Sequence, residues 1–377
     1  MMSNLPAPAV LIAGANPTLI WGMTSEERLR RIAVARKLPT TRTEPDGPVL
    51  IAAASHVFDP QWIGFMLDRP GAVLTSGDVP VLAHLTGNRS ADLIRKAMAE
   101  GHPLPEELPV EIVRAEDHRV FYNVALRKRE EPMLEPLTPG NVRAIERMSY
   151  FGAYKGVTDI LTKYLWPEWA LVLTRISAKI GLTPNMITGI GAAFCVFATV
   201  LFAYGHYWWG MAAGLVFMVL DTVDGKLARC TITSSHWGNV ADHGMDLVHP
   251  PFWWWFWATG LAAWGLAFGD ATFWWVQGVI QIGYWVQRAI EGIFMRRNGL
   301  MHIHVWEKID SDFRLITARR NPNMVILFVA TAFQRPDIGL IAVAVWTGLS
   351  CLFHLVRLIQ AEVRRANGEA ITSWLAA

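Results

Sequence analysis

DTVDGKLARCTITSSHWGNVADHGMD, residues 221–246, decides how this chain folds. It carries four aspartates, Asp221, Asp224, Asp242 and Asp246, inside the least polar half of the sequence. A carboxylate within a membrane segment costs from about 2.5 kcal/mol upward. Lys226 and Arg229 are the only nearby cations. One or two divalent cations are therefore the simplest neutraliser. Asp221 and Asp224 are three apart, and Asp242 and Asp246 are four apart. On helices each pair shares a face. Two such helices set against each other would direct four carboxylates to one place. Hard cations such as Mg²⁺ take oxygen ligands and leave room for water and phosphate. A pair of them can clamp the attacking and leaving oxygens of a phosphorus centre. Gly225 and Gly238, without side chains, would let a bulky ligand approach the helix backbone.

The spacing D-x2-D-G-x2-A-R-x8-G-x3-D-x3-D is filled at every fixed position, by Asp221, Asp224, Gly225, Ala228, Arg229, Gly238, Asp242 and Asp246. In this the sequence resembles the CDP-alcohol phosphotransferases, over roughly residues 150–370. The segment LTPNMIT, with Thr183, Pro184 and Asn185, is similar to the one that opens that family's first membrane helix. The resemblance implies transfer of a substituted phosphate from a CDP-alcohol to an acceptor hydroxyl, with release of CMP, in phospholipid synthesis. It implies two Mg²⁺ or Mn²⁺ ions held by Asp221, Asp224, Asp242 and Asp246, with Asp246 also the general base. Gly225, Ala228, Arg229 and Gly238 match positions that line the cytidine diphosphate pocket. Arg229 has a chemical reason as well, since a guanidinium grips phosphate in bidentate fashion. A homodimer through membrane helices is implied too. The donor is left open between CDP-diacylglycerol and a CDP-polyol such as CDP-inositol, and the acceptor between an alcohol and a lipid. The other class of function is a non-catalytic membrane scaffold or nucleotide-binding module that keeps the fold.

Composition agrees with a membrane half. Of 377 residues, 52% are hydrophobic and 18 are tryptophan. The mean hydropathy of +0.26 is high for a soluble protein. Pairs such as Trp208–Trp209 and Trp274–Trp275 suit membrane edges. A net charge of +2 gives nucleic-acid binding no electrostatic support. Cys195, Cys230 and Cys351 are too few and scattered for a disulfide framework or a zinc site. The opening MMSNLPAPAVLIAGA lacks a basic stretch before its apolar run, so it reads as a buried strand and not a signal peptide.

Six membrane helices are expected, at roughly 184–204, 207–229, 236–264, 270–296, 322–334 and 337–362. The fifth is short, which predicts an earlier start or a tilt. Lys and Arg are missing from the connections near Gly205 and Ala267 but recur before 184, near Arg229, over 296–320 and at Arg364–Arg365. That alternation puts both termini and the aspartates on the cytoplasmic side of a bacterial inner membrane. Arg335 is the exception. Arg288 and Glu291 are placed either to pair or to bind a polar acceptor. Arg319, Arg320 and Asn321 read as interfacial anchors ahead of a phosphate subsite. His243 and His249, beside the acidic run, are kept out of the metal site.

Before residue 135 the pattern changes. Ala9–Ala13, Val49–Ala54 and Ala72–Leu74 read as buried strands, and Ser25–Ala35 and Pro60–Leu67 as helices between them. That order predicts an α/β domain, residues 1–135, with a partly parallel sheet. REEPMLEPLTPGNV reads as a linker. Residues 136–183 then hold an amphipathic helix on the membrane surface, with Arg147, Lys155, Lys163 and Arg175 opposite Leu161, Leu165, Trp169 and Leu173. Residues 184–377 form the all-α membrane domain. VLIAGANPTLIWGMTSEERLRRIAVA resembles the opening of nucleotidyltransferase-like domains, but keeps Gly14 without the G-x-G-T-R run and its lysine. Ser55 stands where a metal-binding aspartate is expected, and Asp59 precedes Pro60 as a helix cap would. The domain is therefore expected to be degenerate and without transferase activity.

Overall fold

The computed structural model describes residues 6–43, 46–86, 90–105, 108–118 and 120–376; the side chains of residues 236, 237, 239 and 241–243 lie outside that description. The amino-terminal region contains β1 (Ala9–Ala13), α1 (Ser25–Ala35), β2 (Thr40–Thr41), β3 (Val49–Ala53), β4 (His56–Phe58), α2 (Pro60–Leu67), β5 (Ala72–Ser76), β6 (Val79–Leu85), α3 (Ala91–Glu100), β7 (Glu111–Arg114), β8 (Phe121–Asn123), β9 (Lys128–Glu130) and β10 (Leu134–Pro136). Six strands form a mixed sheet in the order β2-β1-β3-β6-β5-β7. β1 runs parallel to β2 and β3, β5 runs parallel to β7, and β6 is antiparallel to both its neighbours. β3 is buried along its whole length, which explains its unbroken apolar sequence VLIAA. Leu50 and Ala52 pack into one core and Ile51 and Ala53 into the other. Thr24 caps α1 by accepting from Glu27 N at 3.2 Å, and Asp59 caps α2 by accepting from Gln61 N at 2.9 Å.

The proline-rich stretch expected as a linker is built into this region instead. β10 pairs antiparallel with β4, and Leu137 N donates to Ser55 O at 2.8 Å. Pro136 is tolerated there because the pair is only two strands wide, so a missing N–H interrupts nothing.

Helices fill the rest: α4 (Val142–Gly152), α5 (Ile160–Tyr164), α6 (Pro167–Lys179), α7 (Pro184–Ala203), α8 (Tyr207–Cys230), α9 (His236–Gly260), α10 (Asp270–Arg297), α11 (Lys308–Arg314), α12 (Arg320–Ala332) and α13 (Pro336–Ala366). A helix stands at each of the six stretches expected to span. Among the described residues, α7 and α13 are long and apolar enough to cross a membrane. α8 carries the charged motif residues, and α12 is short. α6 buries Ala170, Leu171, Thr174 and Ser177 and exposes Trp169, Val172, Leu173 and Ile176. Arg335 donates to Asp337 from Nε and Nη2, so the stray cation of the charge pattern is neutralised locally.

The two regions share one core. Ile20, Trp21 and Met23, from the loop between β1 and α1, are buried with Tyr150, Trp166 and Leu171. Trp21 Nε1 donates to Ser149 Oγ at 2.8 Å. Arg28 and Arg31 on α1 donate to Cys230 O and Thr231 O at 2.8 and 2.9 Å. These are end carbonyls of α8 that the helix itself leaves unbonded.

Candidate active site

Asp221 and Asp246 come together where α8, α9 and α12 meet. Arg320, at the first turn of α12, donates from Nη2 to Asp221 Oδ2 at 2.8 Å and from Nη1 to Asp246 Oδ1 at 2.9 Å. One guanidinium thus bridges the first aspartate of the motif and the last. Asp224 is buried and accepts from Thr188 Oγ1 of α7 at 2.6 Å. Asp242 lies on α9, but its side chain is outside the described residues. The expectation that Arg319, Arg320 and Asn321 anchor the chain at an interface is corrected here. Arg319 Nη2 donates to both oxygens of Glu291, and Asn321 Nδ2 donates to Asp159 Oδ1. They point inward because buried carboxylates on neighbouring elements need donors. Arg288 Nη1 also pairs with Glu291, at 3.3 Å.

α9 is shaped by Pro250 and Pro251 inside it. Neither has an N–H, so the carbonyls four residues earlier, Asp246 O and Leu247 O, lose their helical donors. Tyr284 of α10 supplies one: its hydroxyl lies 2.8 Å from Leu247 O and 3.3 Å from Asp246 O. The backbone under Asp246 is therefore held by a neighbouring helix. His249 is buried, with Nδ1 2.6 Å from Met245 O.

Two cavities meet along α8. The larger, of about 470 Å³, is lined by Asp221, Gly225, Arg229 and Asp246, and by Tyr284 and Arg320. The smaller, of about 80 Å³, is lined by Asn185, Thr188, Asp224, Gly225, Ala228, Arg229 and Gly238. Gly225 and Arg229 belong to both. All four expected pocket positions thus line one small cleft. Arg229 Nε donates to Ala153 O at 3.1 Å, which fixes its side chain beside the cleft. Gly238 is close to another side chain: a Cβ there would lie 2.8 Å from Asn185 Oδ1. The Pro-Asn turn that opens α7 thus meets the start of α9.

The donor set suits a hard divalent cation. Asp221 and Asp246 present carboxylate oxygens to a single positive group, and Asp224 stands one turn along from Asp221. A second cluster, Glu291, His304 and His354, gathers its ligand atoms within 4.8 Å. There the Arg319 guanidinium already neutralises Glu291 and donates to His304 Nε2 at 3.2 Å. Tyr284 and Thr188 were not singled out in the sequence. The Pro-Pro pair inside a helix is the signal that would have called for a donor such as Tyr284.

A family model described as CDP-alcohol phosphatidyltransferase matches residues 181–353, the stretch that carries this site. Residues 181–353 form a CDP-alcohol phosphatidyltransferase family domain. Members of this family are integral membrane proteins, in keeping with α7 and α13. The chain is 29% identical over 194 residues to archaetidylinositol phosphate synthase of Pyrococcus horikoshii, covering 51% of this chain and 89% of that protein. It is 29% identical over 126 residues to cholinephosphotransferase 1 of Gallus gallus, covering 31% of this chain and 37% of the relative. It is 32% identical over 93 residues to phosphatidylinositol phosphate synthase of Streptomyces avermitilis, covering 24% and 38%. The phosphatidyltransferase domain thus spans little more than a third of the length of the last two relatives.

Proposed function

We propose that the chain transfers a substituted phosphate from a CDP-alcohol to an acceptor hydroxyl and releases CMP. The observation that carries this is the bridging of Asp221 and Asp246 across α8 and α9 beside a cleft lined by Gly225, Ala228, Arg229 and Gly238. Asp221, Asp224, Asp242 and Asp246 would hold Mg²⁺ or Mn²⁺, two ions on the family pattern. Bound there, the metal would neutralise the diphosphate and stabilise the charge that builds on it.

The chain's own residues do the rest. Arg229 and the backbone at Gly225 position the diphosphate between the two cavities. Asp246 orients the acceptor hydroxyl and takes its proton through Oδ2, since Oδ1 is held by Arg320. The acceptor oxygen bonds to the phosphorus that carries the alcohol. The bond from that phosphorus to the bridging oxygen breaks, and the electron pair leaves with CMP. Thr188 and Tyr284 keep Asp224 and the Asp246 backbone in place. We place α7, α8, α9, α10, α12 and α13 across the membrane, both ends of the domain on the cytoplasmic side, and α6 at its surface.

The amino-terminal region is proposed to be a nucleotidyltransferase-like domain without activity. Its β1–α1 loop, where a nucleotide would be cradled, is packed into the shared core through Ile20, Trp21 and Met23. A Cβ on Gly14 would lie 3.2 Å from Ala99 Cα, so α3 closes on the loop. Asp59 is used as a helix cap. The test is CMP release by purified protein with Mg²⁺ and a panel of CDP-alcohols and acceptors. Asp246→Asn should cut the rate by about 10²–10⁴, and exhaustive chelation should abolish it. Unchanged release in both would remove Asp246 and the metal from the mechanism, and no release with any donor would favour a scaffold.

A further inference from the structure

The carboxyl end of α4 is a meeting point for cations. The last carbonyls of a helix lack the donors of a following turn, and the helix dipole makes that end negative. Lys128 of the β8–β9 hairpin donates from Nζ to Phe151 O and Gly152 O. The next carbonyl, Ala153 O, accepts from two residues of α8: Lys226 Nζ at 2.9 Å and Arg229 Nε at 3.1 Å. Lys226 is only 3% exposed, and a buried ammonium is costly unless it is partnered. Its second partner is the Tyr154 ring, whose centre lies 3.2 Å from Nζ. Tyr150 gives its one hydroxyl proton to Pro167 O at 2.9 Å, so the Tyr154 hydroxyl, 2.9 Å from that of Tyr150, donates to it and the ring is held from behind. Arg229, fixed at Nε, is laid over Gly225, where a Cβ would lie 3.1 Å from its Nη2.

The loop after α4 is gripped in turn by the hairpin. Gly156 N donates to Leu126 O at 2.8 Å. A Cβ on Gly156 would lie 2.5 Å from Lys128 Cβ and 2.6 Å from Arg127 O, so the approach requires glycine. Arg127, at φ 52° in the hairpin turn, donates from Nη2 to His302 Nε2 at 3.0 Å. Gly152 and Gly156 lie on either side of Ala153 and Tyr154, so the hairpin holds both flanks of the segment that meets Lys226 and Arg229.

We propose that the amino-terminal region braces the donor site. The hairpin fixes the loop after α4, and that loop, through Ala153 O and the Tyr154 ring, fixes Lys226 and aims Arg229 at the diphosphate of the CDP-alcohol. Lys128, Tyr154 and Lys226 are positioning residues, and Lys226 fills a place that the D-x2-D-G-x2-A-R spacing leaves open. This deepens the transferase reading and rests on it for what Arg229 holds. It also gives a part in transfer to a region proposed to have no activity of its own.

The test uses the full chain in detergent with Mg²⁺, and the variants Lys226→Met, Tyr154→Leu, Lys128→Met and the double variant Lys128→Met/Lys226→Met. In Lys128→Met the ion-pair partner Glu130 keeps Gln61 and Asn123 as donors. The first readout is the Kd for CDP by calorimetry, since CDP carries the diphosphate but no alcohol to transfer. Lys226→Met and Tyr154→Leu should weaken it by roughly 10–100-fold, and Lys128→Met by less. Because all three act through one loop, the double variant should be no weaker than Lys226→Met alone, whereas independent effects would multiply. The second readout is initial rates: the KM for the CDP-alcohol should rise while the KM for the acceptor stays put, a split that a general loosening of the fold does not produce. Wild-type CDP affinity in the single variants, or multiplying effects in the double variant, overturns the proposal and leaves the transferase reading intact. Should Lys226→Met fail to fold, Tyr154→Leu paired with Lys128→Met carries the same two predictions. If wild type binds no CDP and no CDP-alcohol supports release, the transferase reading fails and the brace falls with it.

Discussion

At the scale of single residues, the site depends on hydrogen bonds that compensate for broken helix. Tyr284 gives its one proton to carbonyls that Pro250 and Pro251 leave without a partner. Tyr284→Phe keeps the ring and removes the donor. It should cost about 1 kcal/mol of stability and lower kcat more than it changes the KM for the donor, because Asp246 sits on the loosened backbone. Thermal melts and initial rates check this, and unchanged kcat would refute it. The motif aspartates were legible in the sequence because their spacing and apolar setting are both local properties. Arg320 was not placed correctly, since it lies 99 residues from Asp221 and only the packing of α12 against α8 brings it there. Asp159 and Arg127 escaped notice for the same reason: each is an ordinary surface residue until a distant element closes over it.

At the scale of elements, α8 is the most constrained helix. It carries Asp221 to Arg229, and its carboxyl end is capped from outside by Arg28 and Arg31 of α1. Replacing both arginines with alanine removes two charge-assisted bonds to end carbonyls. The double variant should lose about 2 kcal/mol, lower the thermal midpoint, and open the α1–α8 junction to proteolysis near Thr231. A midpoint equal to wild type would count against a capping role. β1, α1 and α2 could be read to the residue because caps, period and turn signals agreed there. The stretch after Arg129 misled because prolines and charges look the same in a tether and in an edge strand. The pairing that tells them apart, β10 on β4, is set by residues more than 70 positions away.

At the scale of the whole molecule, the hairpin contact is sensitive to acid. Burial, reinforced by Arg127, holds His302 down to about 4 from its usual 6.5, with Glu291, Lys155 and Arg319 also facing it. The folded protein keeps this ring neutral, while the unfolded chain takes up a proton below about 6.5. Stability from this group is therefore intact above 6.5 and lost as pH falls toward 4. The thermal midpoint should drop between pH 7 and pH 5 in wild type and less in His302→Gln; parallel curves would exclude His302 as the source.

Residues 138–140 are exposed between β10 and α4, while the loop at Trp21, helix α1 and the hairpin all grip the helical half elsewhere. A single nick in that loop would leave two fragments clasped at three points. They should co-elute as one particle, separate only in denaturing detergent, and assemble again when made from two genes.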